Sequence, residues 1–144
     1  MSADFQVVQL PNSFESLGLV LDLLSKSEPF MLYELGKISA AIRMQLRHQH
    51  HFATIREKRL CGYLGWLPTD ADIARTWSQD DGPLTPIFNR PTDAVALTVV
   101  ITSDPSLTRS LIRAARDANK GKRTYFKRET GVLAVGRKSS VMNL

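Results

Sequence analysis

The sequence predicts an α+β fold, in which helices cover both faces of a mixed, mostly antiparallel sheet. The first observation is the order of elements along the chain: strand, helix, helix, strand, strand, short helix, strand, helix, strand, strand. The second is residues 94–101, a near-continuous apolar run that is typical of a strand covered on both faces. The third is a pair of strand patterns at residues 52–56 and 60–67, whose spacing predicts an antiparallel hairpin.

The first 50 residues predict one short strand and two helices. The strand pattern covers residues 5–10, and Asn12 or Ser13 can cap the helix that follows. Apolar residues recur at helical spacing in that helix: Leu17, Val20, Leu21 and Leu24. A second helical pattern begins at Pro29 and continues to about Arg47.

The middle of the chain predicts the hairpin, a short helix and a long loop. Gly62 and Gly65 interrupt the second hairpin strand, which marks a bulge, the close approach of another backbone or a ligand, or a gap in packing. Thr69 or Asp70 can cap the short helix. The loop at residues 78–92 is long enough to serve as a lid or a binding element.

Residues 94–128 predict a strand, a tight loop, a basic helix and another strand. Asp104 can cap the helix, Pro105 suits its first position, and Gly121 follows its end. Basic residues form a stripe apart from the apolar face of the helix: Arg109, Arg113, Arg116 and Lys120. The stripe is either a solvated surface or a binding surface for an anionic partner.

The whole chain, residues 1–144, is predicted to be a single domain, because 144 residues leave no room for a second core of ordinary size. A further short strand is predicted at residues 132–135, and residues 137–144 are predicted to be a flexible tail. The composition, with 43% hydrophobic and 23% charged residues, is typical of a globular protein and excludes a disordered chain.

Positive charge is concentrated at the C-terminal end. Residues 1–108 contain nine Lys and Arg against twelve Asp and Glu, whereas residues 109–144 contain ten against two. Such an asymmetry favours an anionic partner, which is a nucleic acid, a membrane surface or an acidic carrier protein.

No membrane span is predicted, because the longest apolar run near the N-terminus, residues 19–24, is far too short to cross a bilayer. The N-terminus also lacks the pattern of a secretory signal. Cys61 is the single cysteine and excludes an internal disulfide; within an apolar strand it is predicted to be a small core residue. These features predict a cytoplasmic protein.

Three segments carry a resemblance to a known family. They are Phe14-Glu15-Ser16-Leu17-Gly18, Ser27-Glu28-Pro29 and Cys61-Gly62-Tyr63-Leu64-Gly65-Trp66. In these segments the chain resembles the RTX toxin-activating lysine acyltransferases, and its element order resembles the wider acetyltransferase fold known as GNAT. The resemblance continues faintly through residues 104–113 and 125–128.

The resemblance implies a GNAT-like fold and transfer of a fatty acyl group from acyl carrier protein to a protein lysine. The implied donor is the phosphopantetheine of that carrier protein, with no tightly bound cofactor. Residues predicted to contact the donor or another anion surround the basic helix: Ser103, Ser106, Arg109, Arg113, Arg116, Lys120, Lys122 and Arg123. The expected partners are an acyl carrier protein and an acceptor protein, and a homodimer is left open.

The loop at residues 102–106 departs from the pattern of ordinary GNAT enzymes, which hold the pyrophosphate of coenzyme A with backbone N–H groups of a glycine-rich loop. Here the loop contains no glycine, Pro105 has no N–H, and Asp104 adds a negative charge. Coenzyme A in this mode is therefore disfavoured, and coenzyme A-dependent N-acetyl transfer is a second alternative.

The catalytic positions of the family are not matched either. The resemblance places a histidine where this chain has Phe30 and Met31, and an aspartate near Thr98. His50, His51 and Thr98 are the candidate substitutes. Three close histidines, with His48 included, form a weak ligand set, so no metal site is predicted.

Besides coenzyme A-dependent N-acetyl transfer, two functions remain open from the sequence. One is an acyltransferase, or a relative that keeps the fold and has lost catalysis. The other is a binding module without catalysis, in which the basic helix holds an anionic partner such as nucleic acid.

Overall fold

A computed structural model describes residues 4–129 and 137–142 of the chain. The helices of this part are α1 (Phe14–Leu24), α2 (Leu35–His48), α3 (Ala71–Asp80) and α4 (Pro105–Ala118). The strands are β1 (Gln6–Val8), β2 (His51–Arg56), β3 (Arg59–Thr69), β4 (Ala94–Thr102), β5 (Arg123–Glu129) and β6 (Arg137–Met142). A short 3-10 helix, Phe30–Leu32, precedes α2.

The strands form one mixed sheet in the order β1 to β6. Strand β2 pairs antiparallel with both β1 and β3, and β6 pairs antiparallel with β5. Strands β4 and β5 are parallel, with Ala94 opposite Arg123 and Leu97 opposite Phe126, because α4 carries the chain back between them. The predicted fold class, a mixed and mostly antiparallel sheet with helices, is confirmed.

The chain divides into two compact units as far as the described residues extend. Unit 1 comprises Met1–Gly65 and Val99–Ala115, and unit 2 comprises Trp66–Thr98 and Arg116–Leu144. The boundaries fall inside β3, β4 and α4, so each of these elements contributes to both units.

In unit 1, helices pack on both faces of the sheet. The core on one face joins α1 and α2 to the strands: Leu10, Val20, Leu24, Ile38, Ile42, Leu46, Ala53, Tyr63, Val99 and Ile101. Successive residues of a strand point to opposite faces, so Gly65 lies on the same face as Tyr63, next to Gln45 of α2. Gly62 lies on the other face, next to Leu111 of α4.

In unit 2, helix α3 packs against β5, and the loop of residues 81–93 is tied to the end of β3. Thr69 donates its hydroxyl to the carbonyl of Thr85 at 2.9 Å, and the Ile87 N–H donates to the carbonyl of Pro68 at 2.9 Å. Arg90 forms an ion pair with Asp70 at 2.7 Å. These contacts hold the loop against the sheet. The sequence alone had allowed it to be a lid or a binding element.

The predicted helix boundaries agree with the structure at most ends. Ser13 is the cap of α1, and its hydroxyl accepts the N–H of Ser16 at 3.1 Å. The prediction that the second helix begins at Pro29 is wrong, because Tyr33 and Glu34 have extended backbone and α2 begins only at Leu35. Helix α3 also continues to Asp80, past the predicted start of the loop.

The C-terminal residues differ from the flexible tail that the sequence predicted. Arg137–Met142 form β6, and each residue has a partner on β5, from Glu129 opposite Arg137 to Thr124 opposite Met142. Pairing of this kind satisfies backbone groups whatever the side chains are, so the polar composition gave no sign of it. The strand predicted at residues 132–135 lies outside the described residues.

None of the helices in the described ranges combines the length and the apolar character that a bilayer crossing requires.

Candidate functional site

The start of helix α4 in unit 1 is closed by its own capping residue. Asp104 Oδ1 accepts the N–H of Ser106 at 3.0 Å, and the Asp104 carbonyl accepts the N–H of Leu107 at 2.9 Å. Pro105 is the first helical residue and has no N–H to donate. The predicted cap is therefore confirmed, and it uses the groups through which a helix N-terminus attracts anions.

The loop before α4 is also attached to the neighbouring hairpin of unit 1. The Ser103 N–H donates to the carbonyl of Cys61 at 2.9 Å, and the hydroxyls of Thr102 and Thr108 are 2.6 Å apart. Thr54 pairs with Gly62 while Ile55 pairs with Leu60, so Cys61 is an extra residue on β3. This β-bulge presents the Cys61 carbonyl to the loop.

Arg56, at the end of β2, extends this arrangement from a second element. Its terminal nitrogen is 3.8 Å from Asp104 Oδ2, and its Nε is buried without a hydrogen-bond partner in the described part of the chain. The N–H of Ser106 first, and the nearby Arg56 charge to a smaller extent, lower the pKa of the Asp104 carboxyl. Asp104 is therefore ionised at neutral pH.

The basic residues predicted to hold an anion are exposed, except for Lys122, which is half-buried. Arg109, Arg113 and Arg116 lie on α4 at intervals of four and three residues, which places them along one face of the helix. Lys120, Lys122 and Arg123 follow the end of α4 and belong to unit 2.

The predicted serines lie in the loop and at its junction with the helix. Ser103 and Ser106 are both exposed, and both use their backbone N–H in the contacts described above. Their side chains stand at the start of α4, as the sequence predicted, whereas their N–H groups are not available to a ligand.

His51, one of the candidate catalytic residues, has no exposed surface. Its Nε2 accepts the N–H of Leu10 at 2.8 Å, and its Nδ1 donates to the carbonyl of Gln45 at 3.2 Å. The ring also stacks on Tyr63 with centroids 5.7 Å apart. Both nitrogens are engaged and burial lowers the pKa, so His51 is a neutral structural histidine.

The other candidates are more accessible. The half-buried His50 lies between α2 and β2, and its ring stacks on exposed His48 at 5.6 Å. Thr98 is half-buried on β4. Phe30 packs partly against the core of unit 1, and Met31 is half-exposed. Neither side chain has a group that can move a proton. Among the described residues, no three His, Cys, Asp or Glu side chains are grouped as metal ligands.

Sequence reasoning missed Arg56 and the buried amide of Gln45, whereas the bulge at Cys61 lies beside Gly62, one of the two glycines for which a bulge was offered. Gln45 is 3% exposed and its Oε1 accepts the hydroxyl of Tyr63 at 2.8 Å. Gln45 lies three residues after Ile42, on the apolar face of α2. This position was the signal in the sequence that its amide is buried. Nothing local marks Arg56, because its contact is with Asp104, which is remote in the chain.

Comparisons with known proteins find similarity in structure and none in sequence. No protein-family model matches the chain, and no curated protein matches it. Its structure is similar to the loading GNATL domain of CurA from Lyngbya majuscula, with a TM-score of 0.65 and 13% identity over 86% of this chain and 64% of that one. The chain thus spans just under two thirds of the length of that domain.

Two further solved structures contain acyl derivatives of coenzyme A. The GphF GNAT-like decarboxylase in complex with isobutyryl-CoA has a TM-score of 0.65 at 11% identity, over 88% of this chain and 67% of that one. A GNAT family acetyltransferase from Brucella melitensis in complex with acetyl-CoA has a TM-score of 0.56 at 10% identity, over 94% and 90%. The fold is GNAT-like.

The start of α4 does not fit a diphosphate as coenzyme A would present it. The N–H groups of Ser103, Ser106 and Leu107 already have acceptors within the protein, and Pro105 has none to offer. The ionised carboxylate of Asp104 would also repel the phosphates. In this conformation these three N–H groups are therefore not available to a pyrophosphate.

Proposed function

We propose that this protein handles acyl groups carried by an acyl carrier protein, which docks on the exposed arginines of α4, and transfers them to a lysine of an acceptor protein. The observation that supports this proposal most directly is the contrast between the two parts of α4. The backbone at its start is already bonded to Asp104, whereas Arg109 and Arg113 have no ion-pair partner among the described residues. The helix therefore offers side-chain cations, rather than backbone N–H groups, to an anionic donor.

A carrier protein suits such a surface better than free coenzyme A does. It is acidic and presents its phosphopantetheine through one phosphodiester, so charged side chains on a helix face can meet it by electrostatic complementarity. In the transfer, the lysine nitrogen forms an amide bond to the acyl carbon and the thioester C–S bond breaks. The proton lost by the amine is balanced by the proton that the carrier thiolate takes up.

The proton transfer has no assigned side chain, because Phe30 and Met31 occupy the place of the family histidine and His51 is buried. Loss of a general base typically lowers a rate by about 10² to 10⁴-fold. Binding and turnover are therefore measured separately.

The binding experiment titrates the full chain with an acylated carrier protein by calorimetry. Reversal of both charges in Arg109→Glu with Arg113→Glu should weaken binding about tenfold or more, since opposed like charges cost several kcal/mol. The matched control reverses two exposed charges on another helix, Lys37→Glu with Arg43→Glu on α2, and should change the affinity by less than about twofold.

Turnover is measured by mass spectrometry of lysine-containing acceptor peptides after incubation with the acylated carrier. Acyl-lysine formation supports an active transferase. Carrier binding without any transfer supports a non-catalytic relative. Equal weakening of carrier binding by both charge reversals would contradict docking on α4. Binding of duplex DNA with a steep salt dependence, together with no binding of the carrier, would contradict the proposal in favour of a nucleic-acid module.

A further inference from the structure

At the start of helix α4, the carboxylate of Asp104 lies between a backbone N–H and an arginine side chain. One carboxylate oxygen of Asp104 accepts the N–H of Ser106 at 3.0 Å, and the other lies 3.8 Å from the guanidinium of Arg56. A backbone N–H at a helix start and an arginine are the groups with which proteins hold phosphate oxygens. Asp104 therefore occupies the place that a phosphate of a bound donor would take.

Other groups of the loop before α4 are bonded to residues of the same unit. The Ser103 N–H is held by the Cys61 carbonyl at the bulge of β3, and Pro105 contributes no donor. The side chain of Thr102 is joined to that of Thr108 across the loop. The N–H groups of Ser103 and Ser106 are therefore not available to a phosphate group.

The Asp104 carboxylate meets only part of the hydrogen-bonding capacity of Arg56. The Arg56 side chain is 27% exposed, its Nε is buried without a hydrogen-bond partner in the described residues, and its contact with Asp104 is longer than a good hydrogen bond. The guanidinium therefore keeps donor capacity that a phosphate oxygen could use if the carboxylate were absent.

We infer that Asp104 is a specificity-determining residue, which excludes acyl donors that carry a diphosphate and leaves those that carry a single phosphodiester. The inference rests on the proposed function, since it names the donors that the same site admits. It predicts that free coenzyme A and inorganic pyrophosphate do not bind at the start of α4, and that removal of one carboxylate creates this binding.

The test uses binding of small probes, so that it needs neither a carrier protein nor turnover. Wild type, Asp104→Ser and Asp104→Asn are titrated with inorganic pyrophosphate, coenzyme A and the methyl phosphodiester of 4′-phosphopantetheine by calorimetry and thermal shift. Serine and asparagine are both good N-caps, so α4 keeps its start while the charge is removed. Circular dichroism establishes that each variant is folded.

Both Asp104 variants should bind pyrophosphate and coenzyme A about tenfold or more tightly than wild type, because a repelling charge is removed and Arg56 is released. Binding of the methyl phosphodiester of 4′-phosphopantetheine should change by less than about twofold. Adding Arg56→Gln to Asp104→Ser should abolish the gain. The matched control, Asp72→Ser in the first turn of α3, removes an exposed carboxylate elsewhere and should produce no gain.

Three results would overturn the inference: coenzyme A bound by wild type as tightly as by the variants, folded variants that gain no binding, or an equal gain in Asp72→Ser. Failure of the proposed function is seen separately, as absence of carrier-protein binding by wild type. The two failures are therefore distinguishable.

Discussion

Gly62 and Gly65 show how single residues set the spacing between sheet and helices. A Cβ on Gly62 would overlap the hydroxyl of Thr54 and lie 3.0 Å from the Thr102 methyl and 3.3 Å from Leu111. A Cβ on Gly65 would overlap the amide of Gln45. Of the interpretations that the sequence left open, close packing against Gln45 accounts for Gly65, and the bulge together with close packing accounts for Gly62.

Alanine at either glycine should therefore destabilise the protein. Gly62→Ala should lower the free energy of unfolding by about 1–3 kcal/mol, as overpacked cores do, measured by urea denaturation. Gly18→Ala is the control, because a Cβ at that position of α1 meets nothing within 4 Å. It should be neutral or stabilising by about 0.5–1 kcal/mol. A Gly62 variant as stable as wild type would contradict the packing described for this face.

His51 makes stability depend on pH. Its pKa is lowered by burial, and the hydrogen bond to the Gln45 carbonyl only partly opposes this effect. Above the ordinary histidine pKa, about 6.5, both the folded and the unfolded states are neutral. As the pH falls below that value, the unfolded state binds a proton that the folded state does not, so the free energy of unfolding decreases until the lowered pKa is reached.

The expected slope is at most about 1.4 kcal/mol per pH unit, measured by urea denaturation at a series of pH values below about 6.5. His51→Gln should flatten this part of the profile, since an amide can still accept the Leu10 N–H and does not titrate. The control is His48→Gln at an exposed position. A profile that is unchanged in His51→Gln would exclude His51 as the titrating group.

At the scale of elements, the turn between β2 and β3 is a boundary that strand pairing determines. The turn between β2 and β3 is closed by Glu57 and Lys58, both with positive φ, as in the two-residue turns that suit the twist of a hairpin. Neither residue is the Asn or Gly that commonly adopts this geometry. The pairing of β2 with β3 therefore determines the turn, rather than the turn residues themselves.

One of the contacts that hold the loop of residues 81–93 is made by the buried hydroxyl of Thr69. Thr69→Val keeps the volume but removes the hydrogen bond to the Thr85 carbonyl, which should lower stability by about 1 kcal/mol. Amide hydrogen exchange should show faster exchange at Ile87, whose N–H bonds to the adjacent Pro68. Thr76→Val, which removes a hydroxyl bonded only within α3, is the control. Unchanged protection of Ile87 would mean that the loop is held by other contacts.

At the scale of the whole molecule, both compact units share β3, β4 and α4. We predict a single cooperative unfolding transition, because neither unit can lose its strands without disrupting elements that continue into the other. The chain offers a probe in each unit: both tryptophans, Trp66 and Trp77, belong to unit 2, and the single cysteine, Cys61, belongs to unit 1.

Tryptophan fluorescence and thiol labelling of Cys61 in a urea series should therefore give the same midpoint. Two separate midpoints would show that the units unfold independently and would contradict the prediction of a single domain. Because Cys61 is half-buried, labelling of the folded state is measured first and subtracted.

The sequence by itself determined the class of fold, the order of its elements and the cap of α4, because these follow from local periodicity and from residues that act on their immediate neighbours. Only the tertiary structure decided that His51 is buried, that Arg137–Met142 pair with β5, and that Arg56 and the Cys61 carbonyl close the start of α4. The burial of His51 and the contacts at the start of α4 depend on partners remote in the chain, and β6 depends on its pairing with β5. Burial and hydrogen bonding between distant residues are set by how the strands pair and the helices pack, which no local pattern encodes.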